Sequence, residues 1–240
     1  MKTQQALVEK LRGTSHTSVF YKSAEERLEL LAEYFADGLE RGELCVWVTR
    51  TPADEALTDL ESHGHGFKTH IELGSFFIYN SLDTYAPYGH FQLSEMMENL
   101  SKFVISGETE GFTGLRTAGE MDWLTSLPHE EGSAIEYENE VNVFMEHNGF
   151  TGICLYPVDS MSKQSLQGSL RTHPQFIYDD ELYINAYYAP PAQFESAIRS
   201  DLLTVTTPFL THDQAHLFGE NLGDNSRKPL DKVVHELLVN

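Results

Sequence analysis

The chain has 240 residues, which is long enough to bury one substantial hydrophobic core. Hydrophobic residues make up 40% of it and aromatic residues 11%, proportions typical of globular proteins and too high for a disordered chain. Sixteen Lys and Arg stand against 37 Asp and Glu, and the net charge of -21 would repel nucleic acids and anionic membranes. We therefore expect no direct contact with either.

The cysteines and the hydropathy pattern predict a cytoplasmic protein. Cys45 and Cys154 each lie in a short apolar run, where a free thiol behaves as a small hydrophobic group. The first twenty residues contain no apolar segment typical of an export signal, and no run reaches the 18 apolar residues of a membrane span. Export and membrane insertion are both disfavoured.

In chain order, the first half of the sequence alternates between short strands and longer helices. Residues 17–21 predict a strand, and the capping box Ser23-Ala24-Glu25-Glu26 begins a helix that stops at Gly42. A buried strand follows at 44–49, and the next helix has Pro52 at its first position. The remaining predicted elements are a strand at 69–73 that can extend over 76–79, a polar and aromatic loop at 83–90, and an amphipathic helix at 93–104.

The second half continues the pattern and ends in a different kind of segment. Its predicted elements are strands at 112–117, 151–156, 176–178 and 182–184, and helices at 131–147 and 161–170. Pro190-Pro191 marks a boundary, because proline cannot donate to a strand ladder. Helical periods return at 194–203 and 230–238. The predicted units are an N-terminal extension at 1–13, an α/β domain at 14–190 and a C-terminal helical appendage at 191–240.

This alternation predicts a three-layer α/β fold in which helices cover a mostly parallel sheet. The segment 35–48 is similar to the start of RecA-like ATPases of the KaiC type. In those ATPases a glycine-rich P-loop after the first strand holds phosphates. Here the turn at 21–27 has no glycine and carries Glu25 and Glu26, so it resembles a degenerate P-loop. We do not expect nucleotide binding in the usual mode.

Short segments in order over about residues 14–190 carry a more specific resemblance. They are His16 with Phe20-Tyr21 and Glu25-Glu26, Gly38-Leu39-Glu40-Arg41-Gly42-Glu43, Gly114-Leu115-Arg116, Gly119-Glu120-Met121-Asp122-Trp123, Tyr137-Glu138 with Asn142, Cys154-Leu155-Tyr156, His173-Pro174, and Asn185 with Tyr187-Tyr188. Together they resemble the MEDS family, a sensory module of methanogen and methylotroph regulators. The resemblance implies a sensor of small molecules, such as hydrocarbon derivatives, with a fold derived from RecA-like ATPases. Members usually carry a DNA-binding or kinase output domain, for which the fifty or so residues after the module leave little room.

The predicted ligand site follows from the position of polar residues at strand ends. In open parallel sheets, ligands bind beyond the carboxyl ends of the strands. That rule selects Tyr21 and Lys22 after the first strand, Arg116 and Glu120 around the end of the fourth, and Tyr156 after the fifth. We expect these residues to converge on one cleft.

Two residues of the following segments are candidates for the same site. Glu138 lies on an otherwise apolar helix face, where a buried carboxylate needs a partner, and Arg116 is the partner that we predict. Trp123 either packs in the core or lines an apolar pocket.

The histidines raise the question of a metal. His16 and His173 could reach the cleft and bind a metal, with Cys154 as the thiolate. A capping or hydrogen-bonding histidine is the commoner role, so the sequence predicts no metal site there. The run His63-Gly64-His65-Gly66 with His70 looks like a metal cluster, but we interpret it as a solvated surface turn.

The sequence contains no GxSxG elbow, no HExxH and no GxGxxG after a strand, so it predicts neither an enzyme nor a cofactor. The leading prediction is a sensory module that binds a small apolar or carbon-compound ligand and signals to a protein partner or a second copy of the chain. Two alternatives stay open. One is a degenerate RecA-like ATPase that holds nucleotide through Lys22 and Arg116, and the other is a ligand-independent interaction scaffold.

Overall fold

A seven-stranded sheet forms the centre of the computed structural model, which describes residues 2–13, 15–194 and 230–239. The strands are β1 (Ser15–Tyr21), β2 (Leu44–Thr49), β3 (Phe76–Asn80), β4 (Leu115–Glu120), β5 (Thr151–Pro157), β6 (Gln175–Tyr178) and β7 (Glu181–Ile184). Their order in the sheet is β3-β2-β4-β5-β1-β6-β7, and all neighbours are parallel except β6 and β7. The predicted α/β class with a mostly parallel sheet is confirmed, and the strand order is compatible with a RecA-like type.

Helices cover both faces of this sheet. The described α-helices are α1 (Lys2–Glu9), α2 (Ala24–Glu40), α3 (Ala53–Glu61), α4 (Phe67–Glu72), α5 (Ser81–Tyr85), α6 (Leu93–Glu110), α7 (Glu131–His147), α8 (Lys163–Thr172) and α9 (Leu230–Val239). Helices α1 to α4 pack on one face and α5 to α9 on the other. Each face of the sheet has its own hydrophobic core, and successive residues of a strand point alternately into one core and the other. On β2, for example, Val46 faces α5–α9 and Trp47 faces α1–α4. Because both faces are covered, β2 is buried along its whole length.

The turn from β1 to α2 forms the predicted capping interactions. The amide of Glu26 donates to the Ser23 hydroxyl over 3.1 Å, and the amide of Lys22 donates to the Glu26 carboxylate over 2.8 Å. These bonds satisfy N–H groups that a helix start leaves free. The turn therefore uses its own carboxylate where an anion would otherwise bind.

The predicted strand at 69–73 is wrong, because residues 69–72 belong to helix α4 and Leu73 is its C-cap. Gly66 and Gly74 flank the helix, each with a φ angle of 72°. Leu73 is 72% exposed, so this apolar run does not form a buried strand. The true strand begins at Phe76, opposite Cys45 of β2. A short apolar run does not by itself distinguish a strand from a turn of helix.

Two other predicted boundaries are also shifted. The fourth strand begins at Leu115, three residues later than predicted, and the first residues of the predicted loop at 83–90 lie in α5. The predicted helix at 131–147 has the bounds of α7.

Each of the two segments outside the predicted α/β domain contains a described α-helix. Helix α1 buries Leu7 and Val8 against α2, and α9 buries Val233 and Leu237 against the same core as α8. The predicted helical period at 194–203 lies almost entirely outside the described residues. The domain boundaries at 13 and 190 stay predictions. None of the helices in the described part of the chain is long and apolar enough to cross a membrane.

Arg116 is fully buried. It does not lie near the carboxyl end of the fourth strand, where the sequence predicts it. It is the second residue of β4, at the amino end of the strand, and it points toward α2. Its guanidinium donates to Glu43, to Asp37 at 2.9 Å and to the backbone carbonyl of Tyr34 at 3.1 Å. The predicted pairing of Arg116 with Glu138 is wrong, because strand alternation places Arg116 on the α1–α4 face and Glu138 lies on α7 across the sheet.

Gly38 leaves the space that Arg116 occupies, so an alanine there should destabilise the fold. A Cβ at Gly38 would lie 2.4 Å from Nε of Arg116, whose two ion pairs hold it in place. We expect Gly38→Ala to lower the free energy of unfolding by about 2–4 kcal/mol, as strained cores and disrupted buried ion pairs do. Urea unfolding measures the change.

The matched control is Gly107→Ala in α6. Its Cβ would meet Leu44 at an ordinary contact distance of 3.6 Å, so higher helix propensity should stabilise this variant by about 0.5–1 kcal/mol. Equal effects of the two substitutions would contradict the assigned role of Gly38.

Candidate functional site

A cavity of about 350 Å³ lies between the sheet and helices α5, α6 and α7. Its apolar and aromatic lining consists of Val46, Val48, Tyr79, Tyr85, Met96, Leu100, Phe103, Ala118, Tyr137, Val141, Phe150 and Ile153. The exposed side chains of Asp83 on α5 and Lys102 on α6 lie at its rim. Its volume lies at the lower end of the range of small-molecule sites, about 300–1,000 Å³.

The cavity exists because small residues occupy four strand positions on the face toward α6 and α7. Thr117 and Gly119 on β4 lie opposite Gly152 and Cys154 on β5. Gly119 also lets the Tyr85 hydroxyl approach the sheet, since a Cβ there would lie 2.3 Å from that oxygen. Without larger side chains from these strands, the space between the sheet and the helices is not filled.

Four side chains with electron-pair donor atoms meet beside this cavity. They are His16 on β1, Glu138 on α7, Cys154 on β5 and His173 directly after α8, and we refer to them as the His/Glu/Cys cluster. A carboxylate oxygen of Glu138 lies 3.0 Å from His16 Nε2, 3.4 Å from Cys154 Sγ and 3.6 Å from His173 Nε2. Three of the four residues also line the cavity, His173 being the exception.

Neighbouring polar groups fix the orientation of both imidazole rings. The amide nitrogen of Asn142 donates to two backbone carbonyls, so its oxygen faces Nδ1 of His16, at 3.0 Å. Nδ1 of His173 lies 2.9 Å from the carbonyl oxygen of Ser169. Because these oxygens only accept, each Nδ1 carries a hydrogen, and Nε2 of each ring points toward Glu138.

Burial controls the protonation of the cluster. Burial alone would raise the pKa of Glu138, but its contact with His16 and the charges of both histidines outweigh burial and lower that pKa. Burial, with the charge of His16 as a second cause, lowers the pKa of His173 to about 3. Burial and the Glu138 carboxylate raise the pKa of Cys154 well above its usual value. Without a bound cation, the cluster therefore holds a carboxylate, a neutral His173 and a thiol at neutral pH.

Two predicted site residues lie at carboxyl strand ends but are engaged by other partners. The carboxylate of Glu120 accepts hydrogen bonds from Arg27 at 2.8 Å and from the indole of Trp47 at 3.1 Å. The ammonium of Lys22 pairs with Asp179. Both residues are therefore fixed at the carboxyl edge of the sheet.

Two other predicted residues are part of the hydrophobic cores. Tyr21 packs on the α1–α4 side of the sheet. Trp123 stacks on Tyr85 and Phe91, with ring centroids 5.2 and 5.8 Å away. Because Tyr85 lines the cavity, Trp123 supports the cavity wall from behind.

The structure therefore assembles part of the predicted site. It brings together His16, Glu138, His173 and Tyr156, whose hydroxyl donates to Glu138 over 3.3 Å. Tyr21 and Glu120 lie near each other at the carboxyl end of the sheet, where Arg27 contacts both, but they lie on the α1–α4 face and do not line the cavity. Lys22 pairs with Asp179, and the predicted position of Arg116 in the same cleft is wrong because Arg116 lies at the amino end of β4. Thr117, Gly119 and Gly152 in the cavity wall lie within strands, so the rule that ligands bind beyond strand ends does not select them. The alternating small residues of the two strands are the signal in the sequence that indicates this wall.

The buried Glu120 should make stability depend on pH. Burial raises the pKa of Glu120 to about 7, although Arg27 opposes the shift. An acid with a raised folded-state pKa stabilises the fold fully below its usual pKa, here 4.5, and loses this contribution as the pH rises to about 7. We compare the free energy of unfolding of the wild type with that of Glu120→Gln, which cannot ionise at this position. Between about pH 5 and pH 8 the value for the wild type should fall by about 1–3 kcal/mol relative to the variant, because each pKa unit corresponds to roughly 1.4 kcal/mol. Urea unfolding at both pH values measures it, and parallel pH profiles would contradict the assignment.

Comparison with known proteins identifies the family. The family model MEDS, described as the methanogen/methylotroph, DcmR sensory domain, matches residues 15–174. This range contains every member of the His/Glu/Cys cluster. The transcriptional repressor DcmR of Methylorubrum extorquens (strain DSM 6343 / CIP 106787 / DM4) is 23% identical in an alignment of 166 residues that covers 66% of this chain. The chain spans 57% of the length of that repressor. Since the family model matches more than half of the chain, the chain belongs to the MEDS family of sensory domains.

Proposed function

We propose that this chain is a non-catalytic regulatory module that binds a small, mainly apolar carbon compound in the cavity and signals to a protein partner. The observation that carries the proposal is an apolar cavity bordered on one side by a buried polar cluster. Apolar walls favour carbon-rich ligands, and a few polar groups at one end orient them. The sensory description of the family and the repressor function in the relative's name support a regulatory role.

Helix α6 is the element through which a ligand would change the rest of the molecule. It contributes Met96, Leu100 and Phe103 to the cavity and exposes Ile105 to solvent. Binding produces a signal only where the ligand has different affinities for two states. A compound packed between α6 and the sheet would favour one position of this helix. The proposed output is therefore a shift of α6 relative to the sheet.

The geometry favours a carbon compound over a nucleotide. A phosphate group at the turn after β1 would meet Glu26, whose carboxylate already accepts the amide of Lys22. The Lys22 ammonium pairs with Asp179, and Arg116 binds two carboxylates at the opposite end of the sheet. The two cations that the nucleotide hypothesis requires are thus both neutralised, and they lie far from one another along the strands.

A substitution that fills the cavity should abolish ligand binding. Val141 on α7 is buried and lines the cavity, so the larger ring in Val141→Phe would occupy the space that a ligand needs. A thermal-shift screen of small apolar and halogenated carbon compounds, followed by calorimetry of the hits, should give ligands that lose at least about tenfold in affinity in this variant. Ile105→Phe on the exposed side of α6 is the matched control and should bind as the wild type does.

Three outcomes would contradict the proposal. The first is the absence of any hit at millimolar concentration, together with capture of a partner protein without ligand, as a scaffold would show. The second is recovery of a chemically altered compound after incubation, which would indicate catalysis. The third is binding of ATP with Mg²⁺ that disappears in Lys22→Ala, which would restore the nucleotide hypothesis.

A further inference from the structure

We propose that His16, Glu138, Cys154 and His173 bind a single divalent transition-metal cation of the Zn²⁺ class. The site goes beyond the proposed function, because it needs no compound in the cavity. It also replaces the prediction from the sequence that these histidines have only a hydrogen-bonding role.

The spacing of the four donor atoms suits one tetrahedral ion. One imidazole nitrogen from each histidine, the thiol sulfur and one carboxylate oxygen all lie within 4.8 Å of one another. The contacts that Glu138 makes to the other three residues are 3.0–3.6 Å long, and Cys154 Sγ lies 3.5 Å from His16 Nε2. Around zinc, bonds of about 2.0–2.3 Å place the corners of a tetrahedron roughly 3.3–3.8 Å apart. Shifts of a few tenths of an ångström would complete the coordination.

The hydrogen bonds around the cluster determine which ring nitrogen faces its centre. Asn142 and the Ser169 carbonyl accept hydrogen bonds from the Nδ1 atoms, so the Nε2 atoms of both histidines point inward. His173 Nε2 is buried and has no hydrogen-bond partner. Nε2 of both rings, the sulfur of Cys154 and a carboxylate oxygen of Glu138 thus meet at the centre of the cluster. A cation bound by all four atoms would use Nε2 of each ring as a ligand, while Nδ1 keeps its hydrogen bond.

Charge and ligand type select the class of metal. A thiolate and a carboxylate together carry two negative charges, which a divalent ion neutralises within a buried site. Metal binding removes the proton of a coordinating thiol, even where burial favours the neutral form. Nitrogen and sulfur ligands suit Zn²⁺ and its neighbours, whereas Mg²⁺ and Ca²⁺ prefer oxygen ligands.

Metal analysis of the full chain, purified with a tag that contains no histidine, tests the site. After incubation with Zn²⁺ and removal of the excess, mass spectrometry of the elements should find about one zinc per chain. Co²⁺ should replace it and produce the charge-transfer absorption of a cobalt–thiolate bond. Cys154→Ser should lose this absorption, and its zinc affinity should fall at least about tenfold. The zinc affinity of Glu138→Gln should fall by at least about the same factor. Circular dichroism should show that both variants are folded.

Two matched controls identify the residues responsible. Cys45→Ser removes the other free cysteine, which lies on the opposite face of the sheet, and His65→Gln changes the surface histidine run. Both should bind Zn²⁺ and Co²⁺ as the wild type does. In the wild type and in both controls, but not in Cys154→Ser or Glu138→Gln, Zn²⁺ should raise the melting temperature and a chelator should reverse the increase.

The proposal is overturned if the wild type retains no zinc, or if Cys154→Ser and Glu138→Gln retain as much as the wild type. Loss of zinc in His65→Gln alone would assign binding to the surface histidines and would overturn it equally. Because these measurements use no cavity ligand, their failure leaves the small-molecule proposal standing, and the failure of the ligand screen leaves the metal proposal standing.

Discussion

Glu138 is a carboxylate with only 2% of its surface exposed, and its negative charge determines what surrounds it. A buried carboxylate without partners costs several kcal/mol, so the side chains that face it must compensate the charge. Here the partners are His16, Cys154, His173 and the Tyr156 hydroxyl. These groups lie on two adjacent strands and at the end of α8, while Glu138 itself lies on α7. The same charge therefore holds two helices in register with the centre of the sheet.

The cavity and the His/Glu/Cys cluster are parts of one arrangement. The small residues that lie opposite one another on β4 and β5 leave space above this face of the sheet. Cys154 is one of these small residues and also belongs to the cluster. A void in a packed core forfeits dispersion contacts, which a bound apolar compound would restore. At the polar end of the cavity, Asn142 fixes the orientation of the His16 ring. In the proposed sensor, the apolar end under α6 would be the part that responds to a bound ligand.

The sequence predicts the periodic features well and the long-range ones poorly. Helix α7 and the caps of α2 follow from local patterns, and they appear at the predicted residues. His16 and His173 are recognisable as candidates, but their meeting with Cys154 depends on the register of β1 against β5, which places Ser18 opposite Cys154 and which no local pattern encodes. Arg116 is misplaced for a related reason. The predicted strand ends at 117, which would place Arg116 near its carboxyl end. The observed strand begins at Leu115, so Arg116 lies at its amino end and on the opposite face of the sheet from Glu138.

Xenon provides the most direct test of an accessible apolar cavity beside the buried cluster, because this gas enters such spaces without needing a specific ligand chemistry. The account predicts that xenon pressure shifts the methyl NMR signals of Val46, Leu100 and Val141, all of which line the cavity, together with the imidazole signals of His16. Signals of His63, which does not line the cavity, should stay unchanged. Xenon-induced shifts that miss the cavity residues, or no shifts at all, would contradict the central claim.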